Sequence, residues 1–310
     1  MRQLPTLRQL RYLVAVVEIG HFGRAAEACF VTQSTLSTAI RELETILGQT
    51  LIERTKRHVS VTPLGLEVAE RAKMVLRDVG DIVELAQATG GPLSGLIRLG
   101  AIPTIGPYMI PAMMREVRNS YPDAQFYLHE GKSDDLLAAI GEGDLDLAIL
   151  AFPYETPGME QMEIMRDRFW LAVPESHGLA ERKQIRANDL DGSAMLLLEE
   201  GHCLRDHALA ACRVSDGSKG ERIQATTLLT AVEMVAEGIG MTLVPEIAVN
   251  AGFVKSAPVS VLPVKAANAS RHIGLVWRRG AVRKQEFRLF GHFLKNWLAN
   301  REAISEPRAR

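Results

Sequence analysis

The stretch VTQSTLSTAIRELETILG, residues 31–48, decides how the first part of the chain folds. Thr32 is a residue type that caps helix N-termini, and Gly48 is a residue type that ends helices. Between them, apolar residues recur at the spacing of one helix face, at Leu36, Ile40, Leu43 and Leu47. The pattern predicts a helix that buries one face and keeps short polar side chains at its N-terminal end.

Three further segments lie around this helix in the sequence. LRQLRYLVAVVEIG (residues 7–20) predicts a helix closed by glycine, and GRAAEACF (residues 23–30) predicts a second, shorter one. LIERTKRHVSVTPLG (residues 51–65) is basic and strand-like, as a two-stranded wing would be. Together these elements describe a winged helix-turn-helix, which we assign to residues 1–62.

The charge of this first segment suits a nucleic-acid partner. Residues 1–62 carry eight Lys or Arg and five Asp or Glu, a balance of +3, so the net charge of −1 leaves −4 for the remainder. The candidate DNA-reading residues at the start of the third helix are Gln33, Ser34, Thr35, Ser37, Thr38 and Arg41. The wing adds Arg54, Lys56 and Arg57 for the DNA backbone. The alternative is a basic hairpin that is merely solvated.

Residues 63–88 predict a long linker helix. Its apolar residues step by four and three along the chain, which is the pattern of a coiled-coil seam. The seam positions are Val68, Ala72, Val75, Val79, Ile82 and Ala86. We expect dimerisation through this seam; the alternative is that the stripe packs on its own body. TGGPLSG, residues 89–95, is a hinge.

From residue 96 to 310 strand-like and helical segments alternate, which predicts an α/β domain with a mostly parallel sheet. The pattern runs through two similar halves, so we expect a bilobed domain with a ligand cleft between the lobes. Lobe I comprises about 96–165 and 270–302, and lobe II about 166–269.

The chain of 310 residues holds three cysteines, too few for a disulfide framework. The N-terminus lacks a signal-peptide pattern, and no apolar run reaches membrane-spanning length. We therefore expect a cytoplasmic protein without membrane contact. The sequence also shows no metal-ligand spacing and no cofactor motif. Cys29, in the second helix among Ala25, Ala26 and Phe30, is expected to be a small core residue.

Cys203 and Cys212 lie in LLLEEGHCLRDHALAACRV, residues 196–214. On one helix, nine steps would separate them by roughly 13 Å along the axis and put them on opposite faces. A disulfide needs Cα atoms about 4.4–6.8 Å apart. Either the two thiols never pair, or pairing requires the segment to unwind. On spacing alone, two buried structural cysteines are the simpler interpretation.

The surroundings of Cys203 favour a reactive thiol only in part. His202 and Cys203 are expected to start a helix, with Arg205 in its first turn, and both features stabilise a thiolate. Glu199 and Glu200 oppose this effect, so the direction of the net pKa shift stays open.

Residues 22–65 resemble the DNA-binding head of the LysR-type transcriptional regulators, and the heptad helix and bilobed domain fit that family over essentially the whole chain. The resemblance implies a periplasmic-binding-protein-like effector domain and double-stranded promoter DNA as partner. It further implies a homodimer through the linker helix, a tetramer, and RNA polymerase as a candidate partner. One departure is Ser34, where the family commonly has proline.

Four segments resemble more narrowly the OxyR subgroup of hydrogen-peroxide sensors: IPTIGPY (102–108), LEEGHCLRD (198–206), ATTLLTAVEMVAEGIGMTLVP (225–245) and RHIGLVWR (271–278). The resemblance implies that hydrogen peroxide oxidises Cys203 to a sulfenic acid and that Cys212 then condenses with it to a disulfide. It implies a peroxide pocket lined by Thr104, His202 and Arg271. Asp206 is a candidate to position an arginine or a water there, and Ser133 is a candidate further hydroxyl.

Two neighbours of this pocket have simpler interpretations. Ser133 is better explained as a helix N-cap than as a pocket hydroxyl. His207 is expected to be exposed.

Two other functions stay open. One is a LysR-type regulator that is gated by a small organic effector in the interlobe cleft and has inert cysteines. The other is an enzyme, such as a peroxidase, on the α/β domain. No Ser/His/Asp order, metal spacing or phosphate loop supports turnover, and an enzyme would leave the DNA-binding head unexplained. We therefore expect no enzymatic activity.

Overall fold

The computed structural model describes residues 3–54, 59–87, 91–186, 189–190, 194–212, 223–266 and 268–305. Within these ranges, some side chains near the gaps are outside the description, among them those of Arg54, Ala86 and Cys212. The chain divides into two compact units, residues 1–88 and residues 89–310. No helix in the described part combines the length and apolar character that a membrane span requires.

The first unit is a helix-turn-helix with a wing. Its elements are α1 (Leu7–Ile19), α2 (Phe22–Ala28), α3 (Gln33–Leu47), the antiparallel strands β1 (Ile52–Arg54) and β2 (Val59–Val61), and α4 (Pro63–Gln87). Thr32 caps α3 by accepting a hydrogen bond from the Thr35 backbone, and Gly48 ends it in a left-handed conformation. One face of α3 packs into the core of this unit, together with Cys29. The sequence pattern predicts these features, except that Leu47, expected on the buried face of α3, is exposed.

Helix α4 packs against α1, and this contact uses part of its apolar stripe. Among the seam positions, Ala72 is buried, Val68 and Val79 are half-buried, and Val75 and Ile82 are exposed. The side chain of Ala86 is outside the description. Val68 and Ala72 therefore pack on their own unit, whereas Val75 and Ile82 keep apolar side chains in solvent. A dimer seam in this helix stays a prediction.

The second unit is an α/β domain with two lobes. Lobe I contains β3 (Gly95–Ala101), α5 (Gly106–Ser120), β4 (Ala124–Glu130), α6 (Ser133–Glu142), β5 (Leu147–Phe152) and the first part of β6 (Met159–Pro174). Lobe II contains the rest of β6, β7 (Ile185–Arg186), β8 (Leu197–Leu198), α7 (Cys203–Cys212), β9 (Gln224–Ala225), α8 (Leu228–Ala236), β10 (Thr242–Pro245), α9 (Glu246–Asn250) and β11 (Val259–Lys265). The chain returns to lobe I through β12 (Ser270–Arg278) and α10 (Lys284–Ser305).

The main sheet is mixed, and the prediction of a mostly parallel sheet is wrong. Its strand order is β4-β3-β5-β12-β6-β11-β7, with β10 also paired to β6. Strand β3 runs parallel to β4 and β5, but β12 is antiparallel to both β5 and β6, and β6 is antiparallel to β10 and β11. The reason is that β6 and β12 carry the chain between the lobes in opposite directions, and alternation of elements along a sequence does not reveal such crossovers.

Each lobe has its own apolar core, and α7 contributes to both. Leu204 and Ala208 pack in the core of lobe II, whereas Cys203 belongs to the core of lobe I. The first residue of α7 therefore reaches across the cleft between the lobes.

Candidate functional site

The loop before α7 fixes where this helix begins. Gly201 has a φ of +86°, a conformation that side chains with a Cβ adopt only with strain. A Cβ at this position would also lie 3.0 Å from Cδ of Lys132. The chain therefore turns sharply at a glycine and enters α7 at Cys203, which confirms the expected helix start.

The thiol of Cys203 is buried at this helix N-terminus, with 3% of the residue exposed. Burial raises its pKa; the positive charge of Arg271, the hydroxyl of Ser133 and the backbone N–H of Cys203 act in the opposite direction, whereas Asp206 adds to the rise. The expectation that Arg205 provides the stabilising cation is not met. Arg205 donates to the Leu198 carbonyl at 3.4 Å, and the cation that acts on the thiol comes from β12.

Arg271 is fully buried and is held by three hydrogen bonds. Its Nε donates to Oδ2 of Asp167 at 2.9 Å, its Nη1 to Oγ1 of Thr104 at 2.8 Å, and its Nη2 to the Thr104 carbonyl at 3.0 Å. Asp167 also accepts a hydrogen bond from the Ile247 backbone at 3.0 Å. Burial raises the pKa of the Asp167 carboxyl, while Arg271 and the Ile247 N–H oppose that rise. Arg271 and Thr104, predicted to line one pocket, are thus in direct contact.

Ser133 is not a helix cap, so this interpretation is wrong. The N-cap of α6 is Lys132, and Ser133 is the first residue inside the helix. Its hydroxyl is buried and has no nitrogen or oxygen partner among the described residues, and it lies close enough to the Cys203 thiol to lower its pKa. The side chain is therefore available to the site as a hydrogen-bonding group.

His202 and Lys132 close the site from the loop side. Lys132 donates to the Glu200 carbonyl at 3.0 Å and lies 3.8 Å from the Glu199 carboxylate. His202 is buried; burial and the charge of Lys132 lower its pKa, and Glu199 opposes the shift. The imidazole is thus biased toward the neutral form, in which one nitrogen donates and the other accepts.

His207 is buried, and the expectation that it is exposed is wrong. It follows Cys203 by one helical turn and faces inward, with its ring 6.3 Å from that of Phe169. Burial and the charge of Arg271 lower its pKa to about 4, and the Pro153 carbonyl opposes this shift. Neither ring nitrogen makes a hydrogen bond of good geometry to a described residue. The helical spacing of four residues from Cys203 could have indicated this burial.

A small pocket lies directly at the thiol. It is lined by Ile102, Pro103, Thr104, Lys132, Ser133, Gly201, His202 and Cys203. It brings four of the predicted residues together, and Arg271 adjoins them through Thr104. Asp206 is exposed in the first turn of α7, where its charge reaches the thiol. Its walls carry groups that donate and accept hydrogen bonds, and in this conformation it leaves no space for a water-sized molecule.

Cys212 is the last residue of α7. Because Cys203 is the first residue of the same continuous helix, their backbones are separated by roughly 13 Å along the axis. The structure therefore has the regular-helix form of this segment, in which the two cysteines are too far apart for a disulfide.

The sequence interpretation missed Asp167 and Lys132. Asp167, Phe169 and Leu171 alternate along β6 and all point to the buried side of the strand. A carboxylate on a buried strand face needs a partner, and this pattern is a signal visible in the sequence. No comparable signal marks Lys132, because its role depends on the approach of two distant loops.

In the first unit, the candidate DNA-reading residues lie on the outer surface of α3. Ser37 is half-buried, and the other five are exposed: Gln33, Ser34, Thr35, Thr38 and Arg41. A groove beside them is lined in part by Thr6 and Arg8 of the α1 N-terminus, which the sequence interpretation did not single out. The predicted wing residues Lys56 and Arg57 and the side chain of Arg54 lie outside the described residues.

Two family profiles match the chain. Residues 7–66 match the bacterial regulatory helix-turn-helix protein, lysR family, and residues 90–299 match the LysR substrate binding domain. The chain belongs to the LysR family. The family consists of transcriptional regulators, and its two profiles account for both units described above.

LysR-family relatives match along nearly their whole length. The HTH-type transcriptional regulator EstR of Acinetobacter baylyi is 41% identical over 296 residues, which cover 95% of this chain and 98% of that protein. The hydrogen peroxide-inducible genes activator of Dickeya chrysanthemi is 40% identical over 275 residues, covering 89% and 90%. Among solved structures, a full-length OxyR variant from Pseudomonas aeruginosa has a TM-score of 0.74 at 31% identity and covers 94% of this chain and 95% of that one.

Proposed function

We propose that this LysR-family protein is a transcriptional regulator that responds to hydrogen peroxide through Cys203. The observation that carries the proposal is the Cys203 thiol at the N-terminus of α7, in a pocket with the Ser133 and Thr104 hydroxyls and with Arg271 behind them. The similarity to a hydrogen peroxide-inducible genes activator and to an OxyR structure supports it.

The first chemical step is the oxidation of one thiol. The Cys203 thiol gives up its proton and its sulfur attacks one oxygen of hydrogen peroxide; an S–O bond forms, the O–O bond breaks, and the thiol proton ends on the leaving hydroxide, which becomes water. We propose that, once this pocket opens, the Thr104 and Ser133 hydroxyls and the neutral imidazole of His202 hydrogen-bond the peroxide and relay the thiol proton to it. Arg271 and Ser133 offset part of the burial that disfavours the thiolate.

The second step joins two residues that the regular helix keeps apart. The Cys212 thiol attacks the Cys203 sulfenic acid, a disulfide forms, and water leaves. Because the helix separates the two cysteines, α7 has to unwind first. We propose that this refolding changes the packing of the two lobes and is the signal passed to the DNA-binding unit.

The output is altered binding of double-stranded promoter DNA through the first unit. We propose contacts from Gln33, Ser34, Thr35, Ser37, Thr38 and Arg41, with the wing cations on the backbone. The proposed assembly is a dimer through α4 within a tetramer, acting in the cytoplasm and in contact with RNA polymerase. The protein is proposed to carry out no catalytic turnover.

Mass spectrometry of cysteine states after a brief peroxide pulse tests the proposal. Wild-type protein is expected to give a Cys203–Cys212 disulfide, and Cys212→Ser is expected to accumulate sulfenic acid on Cys203. Cys29→Ser is the matched control and is expected to behave like wild type, because Cys29 lies in the core of the other unit. An unoxidised Cys203 in all three proteins, or a Cys203→Ser variant that still changes DNA binding on peroxide, would end the proposal.

A second candidate function is gating by a small organic effector, with inert cysteines. The match of residues 90–299 to a substrate binding domain and the likeness to EstR favour it. The two functions separate in one assay: a metabolite that raises the melting temperature of Cys203→Ser and changes its DNA binding favours the effector. A response that needs peroxide and Cys203 favours the sensor.

A further inference from the structure

Phe30 occupies the left-handed position after a helix end, where glycine is the usual residue. It follows Cys29, the C-cap of α2, and has a φ of +58°. Its N–H donates to the Glu27 carbonyl at 3.0 Å, and the next N–H, of Val31, donates to the Ala26 carbonyl at 3.0 Å. These two hydrogen bonds define a Schellman motif, whose left-handed residue is most often glycine and sometimes asparagine.

The backbone geometry therefore disfavours a phenylalanine here. A residue with a Cβ costs about 1 kcal/mol in this region of φ, and only asparagine and aspartate lower that cost with short polar side chains. Leu93 is the other non-glycine residue with a positive φ in the described part of the chain, and its side chain is fully buried. Burial offsets the strain at Leu93.

No such compensation exists at Phe30, because 90% of the residue is exposed. An aromatic ring in water contributes nothing to the stability of the folded unit, while its backbone conformation is strained. Neither local conformation nor packing accounts for this side chain, which leaves a contact outside the chain as the explanation.

The location of Phe30 identifies the partner. The ring lies on the turn that leads into α3, two residues before the cap Thr32 and three and four residues before the exposed Gln33 and Ser34. In a helix-turn-helix the recognition helix enters the major groove by its N-terminal end and the preceding helix crosses the backbone. The turn between them therefore lies at the wall of the groove, where deoxyribose carbons and thymine methyl groups offer apolar surface.

We infer that Phe30 is an apolar DNA contact that anchors the start of α3 at the edge of the major groove. The contact adds affinity without neutralising a phosphate. Removing it is expected to weaken DNA binding and to leave the salt dependence of binding unchanged. Because the strain disappears with the ring, the same change is expected to keep or raise the stability of the unit.

Phe30→Asn and Phe30→Gly test the inference in the full-length protein. The probe is a labelled duplex that wild-type protein selects from a random-sequence library. Both variants are expected to bind this duplex about tenfold more weakly, with an unchanged slope of log affinity against log salt and a melting temperature equal to or above that of wild type. Phe30→Tyr keeps the ring and is expected to bind like wild type.

Leu47→Ala is the matched control, since Leu47 is an exposed apolar residue at the opposite end of α3. Its DNA affinity is expected to stay within about twofold of wild type. Wild-type affinity of Phe30→Asn would overturn the inference. So would a loss of affinity that comes with a lower melting temperature, because the ring would then be structural. The result does not depend on the peroxide response, which is measured separately at Cys203.

Discussion

Arg271 and Asp167 are direct cross-strand partners of β12 and β6, with Nε and Oδ2 2.9 Å apart and both side chains fully buried. The pair lies where β6 stops pairing with β12 and begins to pair with β10 and β11 of lobe II. Arg271 also holds Thr104 of lobe I, and Asp167 holds the start of α9 in lobe II. One ion pair thus connects the thiol pocket to the junction of the two lobes.

Asp167→Ala is expected to lower the free energy of unfolding by about 3–5 kcal/mol, because it leaves the Arg271 charge buried without its partner. Urea unfolding monitored by circular dichroism gives this number. The matched control is Glu160→Ala, which removes the partner of Arg288 from an exposed 2.8 Å ion pair on the same strand. That loss is expected to stay below about 1 kcal/mol. Equal losses for the two variants would contradict the role given to the buried pair.

Ser133→Ala is expected to slow the oxidation of Cys203 about tenfold, because the hydroxyl that lowers the thiol pKa and faces the pocket is lost. The rate follows from alkylation of the remaining thiol at timed points after addition of peroxide. Ser270→Ala, which removes a hydroxyl that accepts from Arg166 at 2.9 Å, is the control and is expected to react at the wild-type rate. A Ser133→Ala rate equal to wild type would remove Ser133 from the site.

His207 is expected to make the protein less stable as the pH falls. Its pKa is about 4 in the folded protein and 6.5 in the unfolded chain, so between these pH values the unfolded chain binds a proton that the folded chain excludes. The free energy of unfolding is therefore at its full value above pH 6.5, and protonation of His207 in the unfolded chain lowers it progressively toward pH 4, by on the order of 3 kcal/mol.

The measurement is the difference in unfolding free energy between pH 7.5 and pH 5, for wild type and for His207→Gln. The variant is expected to lose less stability on acidification than wild type, while His292→Gln, at an exposed position of α10, is expected to lose as much as wild type. If His207→Gln loses as much unfolding free energy between pH 7.5 and pH 5 as wild type does, then the folded protein does not exclude a proton from the His207 imidazole.

Ile82→Glu is expected to shift the protein from dimer to monomer, because the charge would lie in the proposed apolar seam of α4. Sedimentation velocity at several protein concentrations measures the shift. Met74→Glu is the control: Met74 is also exposed and apolar on α4, but it lies outside the seam and its variant is expected to stay dimeric. A dimer that survives Ile82→Glu unchanged would place the dimer contact elsewhere.

The sequence predicts local structure in this chain better than it predicts tertiary placement. Thr32, Gly48 and the start of α7 at Cys203 follow from neighbouring residues alone, because capping and glycine turns act over a few positions. The environment of His207 depends instead on which elements pack against α7, and the expectation of exposure was wrong for that reason. The expectation for Ser133 was wrong by one position, because α6 begins at Ser133 itself and Lys132 is its N-cap.

The strand directions are a third example of this difference. The crossings of β6 and β12 set them, and these crossings join residues about a hundred positions apart, as in the pairing of Arg271 with Asp167. The alternation of strand and helix in the sequence cannot show where the chain crosses between lobes.

The position of Cys203 in the core of lobe I, with its helix neighbours in the core of lobe II, links lobe packing to redox potential. In the proposed mechanism a disulfide withdraws this residue from lobe I, so the free energy of that packing stabilises only the reduced protein. For a two-electron couple, each 1.4 kcal/mol of such stabilisation raises the reduction potential by about 30 mV. Substitutions in lobe I that weaken the packing around Cys203 would therefore lower the reduction potential of the disulfide, so the protein would stay oxidised under more reducing conditions.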